Sequence, residues 1–267
     1  MAGSGSLLVD SPRPGVVWLT LNDPARRNPL SSALFAELTA SLRALPPDTR
    51  AVVLTGAGEE SFASGADFAE LTRPGAGGMG GEFGRAMEDA LYAIEAVPAP
   101  VVARIQGHCL GAGYQLALAC DLRVAVDTAR IGVPASRFGL LPGPVHHRRM
   151  LQQLGVQVTR ELMFTARGFA GEEARRRGLV DHSCHRDELD ATVQAIVDDI
   201  SRGAPLTVRN SKRMINRLLA MEARGEPLDD ASRAEMEALS QEAHASDDVR
   251  EGLAAFFERR DPEFQGR

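Results

Sequence analysis

Residues 50–56 read RAVVLTG, a run in which no charged or amide side chain follows the arginine. A strand points alternate side chains to opposite faces, so such a run has no face suited to water. It must be covered on both sides, which is the situation of a strand in a parallel sheet flanked by helices. VVWLTLN (16–22), PVVARIQG (100–107) and DLRVAVD (121–127) read as further strands. Helical patterns lie between strands: LSSALFAELTASLRAL (30–45) has apolar residues at helical spacing, serine at its start and Pro-Pro as its stop. Strands alternating with helices imply βαβ units and an α/β class. Beyond about residue 145 strand-like runs almost vanish, and helices are expected over 146–154, 156–165, 171–177, 187–202, 205–221, 228–243 and 247–259. The expected organisation is an α/β core over residues 1–200, which carries the site, and a C-terminal helical region over 201–267.

A chain of 267 residues, 44% hydrophobic and 25% charged, suits one large domain with a sizeable core. Its formal charge of −6 argues against sequence-independent binding to nucleic acid. An anionic ligand would need a local arginine cluster or backbone N–H groups. The only lysine is Lys212, far from the stretch IGVPASRFGLLPGPVHHRRM (131–150), so Schiff-base chemistry there is not expected. Cys109, Cys120 and Cys184 form no CxxC spacing and fit a reducing cytoplasm. Adjacent His146 and His147 would diverge on a regular element, so no metal site is expected. No apolar run of ~20 residues and no basic leader is present, and the expected location is cytoplasmic, without membrane contact.

Two glycine-containing turns carry candidate chemistry. In SFASGADFAEL (61–71), Gly65 permits a sharp turn that leaves the Ala66 N–H pointing outward, and Asp67 can cap a short helix. In IQGHCLGAGYQLALACDLRV (105–124), Gly111-Ala112-Gly113 opens a helix whose first N–H groups have no intrahelical partner. Each alone is equally a tight-packing glycine turn. Facing one another, the two N–H groups would form an oxyanion hole able to stabilise a thioester enolate. RPGAGGMGGEFG (73–84) reads either as a plain connection or as a mobile lid beside that site.

The ordered set resembles the crotonase family, the enoyl-CoA hydratase/isomerase superfamily. SFASGADFAEL is similar to its first oxyanion motif, GHCLGAGYQLALACDLRV to its second, and PARRNPL (24–30) to its coenzyme A-binding turn. PVVARIQG and the closing FERRDPEFQGR are also in family style. The resemblance implies a spiral of ββα units with two roughly perpendicular sheets, then a helical region used in trimerisation. It implies an acyl-CoA thioester as partner, coenzyme A entering as part of the substrate with no other cofactor, and a homotrimer or dimer of trimers. It places the oxyanion donors at Ala66 and Ala112, and substrate contacts at Arg27, Asn28, Leu30, Ala66, Asp67, Phe68, Ala69, Gly111 and Ala112.

The family hydratases use two glutamates, one as base and one as acid. The matching positions here are Gln115 and Ala135, and a third acid position used by other branches is Gly143. Gln does not exchange a proton near neutral pH, and Ala has no polar atom. His146 and His147 are the remaining candidates for proton transfer, because an imidazole titrates near 6.5; both are equally candidates for solvated first-turn residues. The expectation is an acyl-CoA-processing enzyme, a lyase or isomerase, that hydrates poorly. An acyl-CoA decarboxylase or isomerase and a non-catalytic acyl-CoA-binding or delivery protein are the alternatives.

Overall fold

The apolar runs build the sheet they require. The computed structural model describes residues 5–72 and 78–267. Strands β1 (Ser6–Arg13), β2 (Val16–Asn22), β4 (Ala51–Gly56), β7 (Val101–Ile105), β9 (Leu122–Val126) and β12 (His182–Cys184) lie side by side in that order. The β1–β2 pair is antiparallel and the other four pairs are parallel. All six residues of β4 are buried, as a strand without a polar face demands. A second sheet has the order β11 (Gly168–Phe169), β10 (Ile131–Gly132), β8 (His108–Leu110), β5 (Ser61–Ala63). A third, two-stranded piece pairs β3 (Pro29–Leu30) with β6 (Gly65–Ala66) in parallel.

The chain repeats one move: a strand in the large sheet, a short strand in the small sheet, then a helix. β4 and β5 lead to α2 (Phe68–Leu71) and α3 (Glu82–Ala96), β7 and β8 to α4 (Ala112–Ala119), and β9 and β10 to α5 (Pro144–Thr165). This is a spiral of ββα turns. Helix α1 (Ser32–Arg43), capped by the Ser31 hydroxyl, packs on α3. The remaining helices are α6 (Gly171–Arg176), α7 (Leu189–Arg202), α8 (Pro205–Arg224), α9 (Asp230–His244) and α10 (Asp247–Glu258).

Two features differ from the sequence reading. The glycine-rich segment does not run to residue 84, because Glu82 already begins α3, an amphipathic helix that buries Phe83, Met87, Leu91 and Ile94; residues 73–77 lie outside the described ones. Strand β1 was hidden because its side chains are mostly exposed and only half of them apolar, as suits an edge. The two helices expected over 146–154 and 156–165 are there, divided where Gly155 adopts φ 71°, and α5 spans both.

One buried cation ties the helical region to the core. Lys212 on α8 donates to the carbonyls of Ile94 (3.2 Å) and Ala99 (3.1 Å) and to Asp121 Oδ2 (2.7 Å). A positive charge is favourable at the C-terminal end of α3, where carbonyls are left unpaired. Asn216 adds a bond to the Glu95 carbonyl at 2.8 Å. The same Asp121 oxygen accepts the Val101 N–H at 2.7 Å, so α3, α8 and the sheet meet at one point.

Candidate active site

The site is assembled by a turn whose own side chain holds it. Arg27 and Asn28 adopt left-handed backbone conformations, with φ of 65° and 53°. Asn28 is buried, accepts the Asp23 N–H at 2.9 Å, and donates to the carbonyls of Ala57 (3.0 Å) and Ser61 (2.8 Å). The Arg27 carbonyl accepts Ser64 N–H at 2.9 Å, and the Leu30 carbonyl accepts Asp67 N–H at 2.7 Å. The turn therefore clamps the SGAD segment. The side chains of Asn28 and Leu30 are enclosed.

Successive N–H groups on a strand face opposite edges. Since the Asp67 N–H is bonded to β3, the Ala66 N–H turns the other way. The segment packs against the second motif at Gly65, where a Cβ would lie 3.9 Å from Ala112 N and 3.2 Å from the Leu110 carbonyl oxygen. Gly65 has φ +116°, outside the range of ordinary side-chain-bearing residues. Ala112 is the first residue of α4, where N–H groups lack intrahelical partners. Asp67 caps α2 by accepting the Ala69 N–H at 3.0 Å and pairs with Arg26 at 3.0 Å.

Ala66, Gly111 and Ala112 open on a cavity of about 150 Å³. Gln115, Ala135 and His146 line it too, so helix α4, the turn after β10 and the start of α5 bring these expected positions together. Met87 and Leu140 give apolar wall, and Phe68 and Phe138 stand half exposed with ring centroids 4.9 Å apart. Among the described residues, no Asp or Glu lines this cavity. Gln115 and His146 are each 2% exposed, and neither the Gln115 amide atoms nor His146 Nδ1 has a hydrogen-bond partner in the protein. Buried polar atoms are rarely left so, which marks the spot as one shaped for something else.

The structure separates the two histidines. His147 is half-buried with Nδ1 3.1 Å from the Gly143 carbonyl oxygen, so that contact needs the proton on Nδ1. His146 faces the cavity, and its pKa is pushed down to about 4, first by burial and then by Arg149 and His147. Arg149 is itself buried and paired with Glu95 at 2.7 Å.

A second cavity, about 310 Å³, adjoins the first through Leu110, Val133, Pro134 and Phe138. Arg27, His108, Arg130 and Arg137 line it. Arg130 and Arg137 escaped the sequence reading, because residues scattered along the chain show no cluster until the fold gathers them. A more open groove of about 580 Å³ between α1 and α3, around Leu42 and Tyr92, includes none of the motif residues.

Comparison with known proteins agrees with this architecture. The family model described as enoyl-CoA hydratase/isomerase matches residues 12–267. A short-chain-enoyl-CoA hydratase of Clostridium acetobutylicum is 33% identical over 247 residues, covering 92% of each chain. The human enoyl-CoA hydratase domain-containing protein 2, mitochondrial, is 36% identical over 96% of this chain and 87% of its own. The crystal structure of an enoyl-CoA hydratase from Bacillus anthracis superimposes with a TM-score of 0.85 at 33% identity, over 98% of this chain and 100% of that one. The chain belongs to the enoyl-CoA hydratase/isomerase family.

Proposed function

We propose that this protein binds an acyl-CoA thioester and stabilises its enolate between the Ala66 and Ala112 N–H groups, while hydrating enoyl-CoA poorly. The observation that carries the reading is the cavity where the two motifs meet, lined by Gln115 and Ala135 and, among the described residues, by no carboxylate. An oxyanion hole needs only backbone donors held in place, and the clamp from Asn28 holds one of them. Water addition needs an acid and a base, each contributing about 10²–10⁴-fold. Isomerisation or decarboxylation of a thioester asks less of the side chains. The second cavity, with three guanidinium groups on a chain of net charge −6, suits the phosphates of coenzyme A; Arg130 and Arg137 have no ion pair among the described residues. No cofactor beyond the coenzyme A of the substrate is called for.

Helices α5 and α10 present apolar side chains to their surroundings, with Phe164, Phe256 and Phe257 each over three-quarters exposed. Such a surface supports a trimer or a dimer of trimers. Among the described residues no helix is long and apolar enough to cross a membrane, and the three cysteines are unpaired, which supports a cytoplasmic setting.

The test is calorimetry with acetyl-, butyryl- and long-chain acyl-CoA, followed by crotonyl-CoA hydration. Binding tighter than millimolar with hydration at least about 10²-fold below that of a good hydratase is expected. No binding to any of the three overturns the reading. Binding without turnover in hydration, isomerisation, decarboxylation or hydrolysis replaces it with a non-catalytic acyl-CoA carrier.

A further inference from the structure

The three inherited acid positions hold Gln115, Ala135 and Gly143, yet a carboxylate stands beside the last of them. A Cβ built on Gly143 would lie 3.7 Å from Glu88 Oε1 and 3.9 Å from His146 Cδ2. A side chain at 143 would therefore enter a space that Glu88 already borders from helix α3. Glu88 follows Met87, whose side chain lines the acyl cavity, and is half-buried. Among the described residues it makes no ion pair or hydrogen bond, unlike Glu95, which is committed to Arg149. No bond has to break for it to move.

We infer that Glu88 and His146 form the proton-transfer pair of this site, with His146 exchanging the proton with the acyl group and Glu88 acting as the positioning residue that holds the imidazole. This rests on the thioester reading above. The acid that other branches carry on the loop before α5 is here delivered from a different helix. Both groups border one point, the place a Cβ at Gly143 would occupy; in the pair, a change of side-chain rotamer at Glu88 brings its carboxylate to the ring. The carboxylate then stabilises the imidazolium and fixes the ring, as a carboxylate does for a catalytic histidine elsewhere.

The step balances within the pair and the substrate. The α C–H bond of the thioester breaks, and its proton goes to an imidazole nitrogen. The electron pair moves to the carbonyl oxygen, held by Ala66 and Ala112. Return of the proton at the α carbon gives exchange; return at the γ carbon of a β,γ-unsaturated acyl group moves the double bond. Around His146, the charged or titratable groups are Arg149 and His147 on α5 and Glu88 from α3, with neutral Gln115 from α4. Of these, Glu88 alone favours the protonated ring.

The test reads the ring directly. The His146 imidazole is titrated by nitrogen-15 NMR in the full chain, in Glu88→Gln and in Glu88→Asp, with His146→Gln to assign the signal. Binding of butyryl-CoA and exchange of its α protons in heavy water are measured on the same proteins. We expect Glu88→Gln to lower the His146 pKa by about one unit or more. Glu88→Asp should recover at least part of that shift. α-Proton exchange should slow ~10-fold or more in Glu88→Gln and ~10²-fold in His146→Gln, with binding retained. An unchanged His146 pKa in Glu88→Gln overturns the pair, whatever butyryl-CoA does. A lowered pKa in a protein that binds no thioester keeps the pair and overturns the proposed function instead.

Discussion

His146 and Asn28 show how much single side chains decide here. His146 is buried as a neutral ring, with a folded-state pKa of about 4 against about 6.5 unfolded. Above pH 6.5 neither state is protonated and the group has no effect on the balance. As pH falls through 6.5 the unfolded chain takes up a proton that the folded chain refuses until about 4, so stability is lost across that window. Urea midpoints measured from pH 7.5 to 4.5 should fall, and His146→Gln should flatten that part of the curve. Asn28 is a different case, a polar side chain spent entirely inside the protein. Asn28→Ala would leave the Asp23 N–H and the Ala57 carbonyl without this partner, while the Ser61 carbonyl keeps Gln106, and should cost about 1–3 kcal/mol in denaturant unfolding. Both residues stood in quoted motifs, but nothing in PARRNPL says which side chain turns inward. Nor did the paired histidines say which of them is enclosed.

Among the elements, legibility tracked length. The strands VVWLTLN, RAVVLTG, VVARI and LRVAV and the C-terminal helices were readable because several turns or several alternations repeat the pattern. Strands β3, β6, β10 and β11 have two residues each, too few for any periodicity, yet they carry the site. The start of α3 was masked by the glycines before it, and Glu88 went unnoticed with that helix. Glycine also sets how closely the elements approach. A Cβ on Gly113 would stand 2.7 Å from both the Cβ and the carbonyl oxygen of Ala63, so α4 sits directly on β5. Gly113→Ala should push the Ala112 N–H away from the Ala66 arm. We expect a loss of about 1–3 kcal/mol in stability and weaker acyl-CoA binding by calorimetry.

At the scale of the whole molecule, the parallel core followed by a helical region was legible from the change in pattern near residue 145, while the surfaces were not. Which apolar residues of α5 and α10 stay outside is decided only by packing. Light scattering should give a mass near three or six subunits, and the double substitution Phe256→Glu, Phe257→Glu should reduce it while leaving far-UV circular dichroism unchanged; a wild-type monomer at micromolar concentration would contradict the assembly. The tail returns to the core, where Arg50 donates to the Phe264 carbonyl at 2.6 Å and buried Asp248 accepts the N–H groups of Gln265 (2.7 Å) and Gly266 (2.9 Å). The junction at Lys212 is the deeper tie, since one ammonium group satisfies the end of α3 and the carboxylate that also fastens β7. Because it is also the only lysine, the chain offers a lysine-specific protease a single cleavage point, closed in the native state. Each cut then records one release of α8 from the core, and the rate of cutting becomes a clock for the opening of the molecule.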